Sequence, residues 1–131
     1  QNSFTLGEFM ELSELQKGLL SYSSIDDMGL WIIPWRITNS GVTKESNESV
    51  RNQSITEIRY MLENGWLAIG TPIDKDGKVV FQLFSLSVDE AIAFIEREWN
   101  KLGRLPNIGE ICWFRATPKG RQLAIELGLL D

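Results

Sequence analysis

The passage that most constrains this chain is CWFRATPKGRQLAIELG, Cys112 to Gly128. Apolar residues Cys112, Trp113 and Phe114 lead into Thr117, whose hydroxyl can cap a helix. Pro118 then takes the first helical position, where an N–H has no intrahelical partner to lose. Gly128 supplies the left-handed position at which helices stop. The pattern predicts a strand over Ile111 to Ala116 feeding directly into a short closing helix. A chain that ends this way carries both kinds of element, so purely helical and purely β architectures drop out.

The same reading extends upstream. Val88, Ile92, Ile95, Trp99 and Leu102 recur at three- and four-residue steps, so Ser87 to Leu102 reads as an amphipathic helix capped by Ser87 and ended by Gly103. In WLAIGTPIDKDGKVVFQLFSL, β-branched and aromatic residues flank Asp76-Gly77, a hairpin turn signal. The expected strands Leu67 to Ile69, Val79 to Phe84 and Ile111 to Phe114 form one small antiparallel sheet. Val50, Ile55, Ile58, Met61 and Leu62 lie along one face of a helix capped by Ser49 or Asn47 and ended by Asn64-Gly65. Phe9, Met10, Leu12, Leu15 and Leu19 mark an N-terminal amphipathic helix within Phe4 to Ser21.

Between these helices, Ser23, Ser24, Asp26 and Asp27 offer N-caps before MGLWIIPWRITNSG, which reads as a helix ending at Asn39-Ser40-Gly41. Pro34 either bends that helix, or Leu30 to Ile33 is extended and a short helix starts at Pro34. Thr38 to Ser49 reads as a polar surface loop.

The 131 residues fit one domain, residues 1–131, and the 43% hydrophobic and 24% charged composition is that of a globular chain. The longest apolar run, Met28 to Trp35, is far short of the roughly 20 residues that span a bilayer, so no membrane partner is expected. One cysteine cannot form an internal disulfide, and cytoplasm is the expected compartment. Histidine is absent, which removes the usual general base, the Ser-His and Cys-His pairs and the commonest metal ligand. Cys112, beside Trp113 and Phe114, reads as a buried thiol without reactivity. Asp26-Asp27 read as caps, and Asp74-Lys75-Asp76-Gly77 as a turn, since no distal glutamate completes a calcium loop. GTPIDKDGK is no phosphate loop, because Gly-Lys is not followed by Ser or Thr. The expectation is a non-enzyme with no catalytic, cofactor-binding or metal-binding residues.

The order helix, helix, helix, hairpin, then strand into a Thr-Pro-Lys-Gly-Arg helix resembles a winged-helix domain. WFRATPKGRQLA is similar to the end of many bacterial winged-helix proteins, where the last wing strand runs into Thr-x-x-Gly and a closing helix. The resemblance spans roughly Leu30 to Leu127. It implies an α+β fold with three N-terminal helices, a small antiparallel sheet with an inserted helix, and a C-terminal helix. The chain also resembles small acidic bacterial proteins with a tryptophan-rich second helix and a Trp-Phe-x-Ala-Thr close, some of which are immunity proteins encoded beside toxins.

Net charge is −5. An acidic surface favours a basic partner over a phosphate backbone. The leading expectation is a non-enzymatic, immunity- or antitoxin-like binding protein that neutralises a partner toxin, such as a basic nuclease. Its expected contacts are the acidic residues Asp89, Glu90, Glu96 and Glu98 on one helix, and Trp31 and Trp35, four residues apart. Trp66, Trp99 and Trp113 are expected in the core. The alternative is a winged-helix DNA-binding transcription regulator. Two features oppose it. About nine polar residues stand where a helix-turn-helix has about three or four, and Arg51 and Arg59 on the would-be reading helix are balanced by Glu57 and Glu63. Nucleic acid is therefore not an expected partner.

Overall fold

The computed structural model describes residues 11–38 and 47–130. Within them the chain is α+β, with five helices and a four-stranded antiparallel sheet ordered β1-β4-β2-β3.

Helix α1, Glu14–Ile25, begins at a capping box. Ser13 Oγ accepts from the Gln16 N–H at 3.0 Å, and Gln16 Oε1 accepts from the Ser13 N–H at 2.9 Å. This helix runs past the expected end at Ser21, and the Phe4 to Met10 portion of the expected N-terminal helix lies outside the described residues. Ser23 and Ser24, expected as caps of the next helix, instead sit in the buried last turn of α1. Both hydroxyls donate to the Leu20 carbonyl, at 3.2 and 2.7 Å, which satisfies them without water.

The segment expected as one long helix divides. Met28–Gly29 is a short strand, β1, and Ile32–Ile37 is a short helix, α2. Neither expected reading of Pro34 holds. The helix begins two residues before it, so Pro34 occupies the first turn, where no intrahelical bond is lost and no kink is needed. The helix stop expected at Asn39-Ser40-Gly41 lies outside the described residues. Helix α3, Asn47–Glu63, already includes Asn47 and Ser49, so neither is its cap. It buries Val50, Ser54, Ile55, Ile58 and Met61. Its end is the expected one: Gly65 stands at φ 73°, and the N–H groups of Gly65 and Trp66 return to the Leu62 and Met61 carbonyls, both at 3.0 Å.

Strands β2, Leu67–Lys75, and β3, Lys78–Leu83, form the expected hairpin. Asp76 and Gly77 both have positive φ, 54° and 81°, as a two-residue type I′ turn requires. Helix α4, Val88–Leu102, has a capping box between Ser87 and Glu90 and ends at Gly103 with φ 67°. Strand β4, Trp113–Ala116, is shorter than expected. Ile111 stands at φ 73°, outside strand geometry, and the Cys112 carbonyl is instead the acceptor for the Leu30 N–H at 3.0 Å.

Helix α5, Pro118–Glu126, shows what the Thr-Pro-Lys-Gly sequence achieves. Thr117 Oγ1 accepts from the Gly120 N–H at 3.0 Å and donates to the Gly65 carbonyl at 2.6 Å, while the Thr117 N–H donates to the Trp66 carbonyl at 2.9 Å. Gly120 lies on the Trp66 backbone so closely that a Cβ there would fall 2.2 Å from the Trp66 carbonyl oxygen. The motif locks the start of the closing helix onto the corner where α3 turns into β2.

The core is continuous. Leu19, Leu20, Met28, Leu30, Ile33, Ile58, Met61, Trp66, Ile95, Trp99, Phe114 and Leu123 are fully buried. The register puts Met28, Phe114, Ile69 and Leu67 on the sheet face turned to that core. Trp66 and Trp99 are core residues as expected, and Trp99 Nε1 donates to Asn47 Oδ1 at 3.2 Å. Trp113 is only half-buried, which corrects its expected core placement. Its neighbour Phe114 takes the inward position, and successive residues of a strand face opposite ways.

Candidate functional site

The outer face of the sheet carries Gly29, Trp113, Gly70 and Leu83 in one row, with Arg115 and Phe81 beside them. Two gaps in side-chain cover let aromatic rings lie on the backbone. A Cβ at Gly29 would sit 2.7 Å from Trp31 Cδ1 and 3.5 Å from Trp113 Cζ3, so the two indoles meet over this glycine. A Cβ at Gly70 would fall 2.1 Å from the Gln82 carbonyl oxygen of β3 and 2.8 Å from the Phe81 ring. Trp31 continues to Trp35 in an edge-to-face pair, centroids 6.1 Å apart.

The result is an aromatic band, Trp35, Trp31 and Trp113, running from α2 onto the sheet, with Phe81 on the same face on the far side of Gly70. Trp35 is 44% exposed, and the other three rings are half-buried. Beside Trp31 and Trp35, a cleft of about 200 Å³ is walled by Pro34, Leu105, Pro106 and Ile108. At the other end, the Arg115 guanidinium stands 4.7 Å from the Phe81 ring centroid, and its Nε donates to Asp27 Oδ1 at 2.9 Å.

Trp31 and Trp35 were legible as a pair from their spacing. Trp113 and Phe81 were missed as members of the surface. The period-two alternation Trp113, Phe114, Arg115 was the available signal, since a residue in phase with an exposed arginine points away from the core.

The four carboxylates of α4 do not form one free acidic face. At about 100° per residue, Asp89 and Glu96 share one edge of the helix and Glu98 lies on the opposite edge. Asp89 bridges Arg59 of α3 at 2.8 Å, and Glu96 approaches Arg51 of α3 at 3.8 Å. Glu98 meets Lys101 at 3.1 Å and Arg97 at 3.5 Å; the Lys101 hydrogen bond foremost holds its carboxyl below the usual range. Glu90 accepts from the Ser87 N–H at 2.8 Å as the reciprocal half of the capping box. Each carboxylate has a structural engagement within the chain.

Asp26 accepts from the Asp27 N–H at 2.8 Å, and Asp27 holds Arg115. Among the described residues no group of three potential metal ligands converges, and no helix is long and apolar enough to cross a membrane. Burial pushes the Cys112 thiol pKa far up, which suppresses the nucleophilic thiolate. Compared with known proteins, the chain matches no family model, no curated protein and no solved structure.

Proposed function

We propose that this chain is a non-enzymatic binding protein of the immunity or antitoxin kind, which neutralises a protein toxin in the cytoplasm by covering part of its surface. The aromatic band carries the reading. Large rigid rings that are half-exposed, contiguous and bordered by polar groups are what protein interfaces use as anchors. Trp31 and Trp35 are the central contacts. Asp89, Glu90, Glu96 and Glu98 act only through the overall negative charge, which favours a basic partner such as a nuclease.

The winged-helix-like reading of the fold belongs to the same proposal. It is supported by the order helix, short strand, two helices, hairpin and a last strand that returns to β1, with α4 inserted before that strand. The alternative, a DNA-binding winged-helix regulator, fits less well. Arg51 and Arg59 of α3 are turned to carboxylates of α4 rather than left for phosphates.

The test is co-purification of the chain with the product of the adjacent gene, followed by the Trp31→Ala/Trp35→Ala double variant. The reading expects the folded double variant to lose the complex and its protection of toxin-expressing cells. Undiminished binding by that variant, or sequence-specific submicromolar binding to the gene's own upstream DNA, overturns it.

A further inference from the structure

Strand β4 runs out of partners on one side before it ends. The Thr117 N–H to Trp66 carbonyl bond sets the phase of its ladder with β2, so Arg115 exchanges backbone bonds with Ala68, and the N–H and C=O of Ala116 point the other way, toward β1. The Leu30 N–H to Cys112 carbonyl bond sets the alternation with β1, in which Met28 and Phe114 are a bonded pair and Asp26 stands level with Ala116. There the pairing stops. Asp26 is the C-cap of α1, and its N–H returns to the Tyr22 carbonyl at 3.0 Å. Both backbone groups of half-buried Ala116 are left without a partner among the described residues.

They open onto a cleft of about 320 Å³ between the end of α1 and the start of α5, at the small end of the range that ligand pockets occupy. Its walls carry both signs of charge. Arg121 donates through Nη1 to the Ser24 carbonyl, and its other guanidinium nitrogens make no bond among the described residues. Arg115 holds Asp27 through Nε and lies on Phe81, with both Nη groups free of hydrogen bonds among the described residues. Asp26 uses Oδ1 for the Asp27 N–H and keeps Oδ2.

We propose that this cleft binds a free α-amino acid as its zwitterion. Such a molecule carries, on one carbon, the two groups that Ala116 needs: an ammonium that donates to its carbonyl and a carboxylate that accepts from its N–H. The second carboxylate oxygen is then served by the guanidinium groups of Arg115 and Arg121, and the remaining ammonium protons by Asp26. Charge-assisted hydrogen bonds of this kind are roughly twice as strong as neutral ones.

The balance of charge selects this class of ligand. A simple anion would meet Asp26 and Asp27 as well as the arginines, and a simple cation would meet Arg115 and Arg121 as well as the carboxylates. Backbone groups inside a peptide are neutral, and a chain end carries only one of the two charges. A free α-amino acid answers the donors and the acceptors together. The inference is independent of the proposed toxin partner.

The full chain, isotope-labelled, is titrated with L-alanine and followed by NMR. The backbone amide of Ala116 and the side-chain signals of Arg115 and Arg121 are expected to shift together and to saturate in the millimolar range. Three analogues are compared on the same unaltered chain: N-acetyl-L-alanine, which lacks the ammonium, L-alaninamide, which lacks the carboxylate, and β-alanine, which holds the two charges further apart. Each is expected to bind roughly tenfold more weakly, the loss typical of one charged hydrogen bond. Asp26→Asn keeps the acceptor for the Asp27 N–H, so its circular dichroism is expected to be unchanged while its affinity for L-alanine falls roughly tenfold. The absence of a saturable shift at Ala116, or equal binding of any of the three analogues, overturns the proposal whether or not the variant folds. Undiminished affinity in folded Asp26→Asn overturns it equally.

Discussion

Gly120 has no room to be anything else. A Cβ at this position would fall 2.2 Å from the Trp66 carbonyl oxygen, and that backbone is held by the Thr117 N–H. Gly120→Ala is expected to force α5 away from the α3–β2 corner and to cost about 2 kcal/mol or more in denaturant unfolding. Gly77→Ala meets open space and only the positive-φ penalty, about 1 kcal/mol. Glu110 makes a different residue-level prediction. Arg104 binds it bidentately at 2.7 and 2.9 Å and the Asn107 N–H donates to it at 2.7 Å, which together lower its pKa from 4.5 to about 2. A carboxylate with a depressed folded pKa adds stability above its unfolded value, and that contribution disappears as pH falls through about 2. NMR titration of Glu110 should show the low midpoint, and Arg104→Gln should move it up toward the ordinary range. Cys112, buried and with a raised pKa, should resist thiol reagents in the native protein and react once denaturant unfolds it.

Single hydroxyls decide where two of the helices begin. Ser87→Ala removes the acceptor for the Glu90 N–H and half of a capping box, so α4 should lose about 1 kcal/mol, read by thermal or denaturant unfolding. Glu90→Lys breaks the other half. Charge reversal at Glu90 is therefore expected to lower stability. Thr117 joins three elements through two hydrogen bonds of one hydroxyl, to Gly65 and from Gly120. Thr117→Val should cost more than Ser87→Ala, about 2 kcal/mol, because it leaves the part-buried Gly65 carbonyl without this donor. Thr117→Ser should restore most of the loss.

For the molecule as a whole, the core and the proposed contact surface occupy opposite sides of one sheet. Trp35, at the exposed end of the band, should be nearly silent in stability when changed to alanine, whereas Trp31→Ala should be measurably destabilising because its ring packs over Gly29 and beside Trp113. In a complex with the proposed toxin, a central anchor typically contributes about 2 kcal/mol or more, chiefly through dissociation. Surface plasmon resonance on the two variants separates these effects. Association should depend only weakly on the α4 carboxylates, since three of the four are paired within the chain and Glu90 is held in its cap.

Much of the architecture was legible because it rests on local chemistry. Asp76-Gly77 dictates its turn through positive φ, Thr117-Pro118 dictates a helix start, and the spacing Val88, Ile92, Ile95, Trp99 dictates one apolar helical face. These signals act within a few residues, so sequence alone determined the hairpin, α4, α5 and the α3 terminus. It could not place Met28 and Gly29, which are extended because Phe114 and Trp113, remote in sequence, supply strand partners. Nor could it show that α4's acidic residues are engaged, because Arg51 and Arg59 reach Glu96 and Asp89 only once α3 and α4 pack. The aromatic band is likewise a product of tertiary structure. Its rings come from α2 and β4, and only sheet register lays Trp113 beside Gly29 and Gly70 so that rings distant along the chain share one surface.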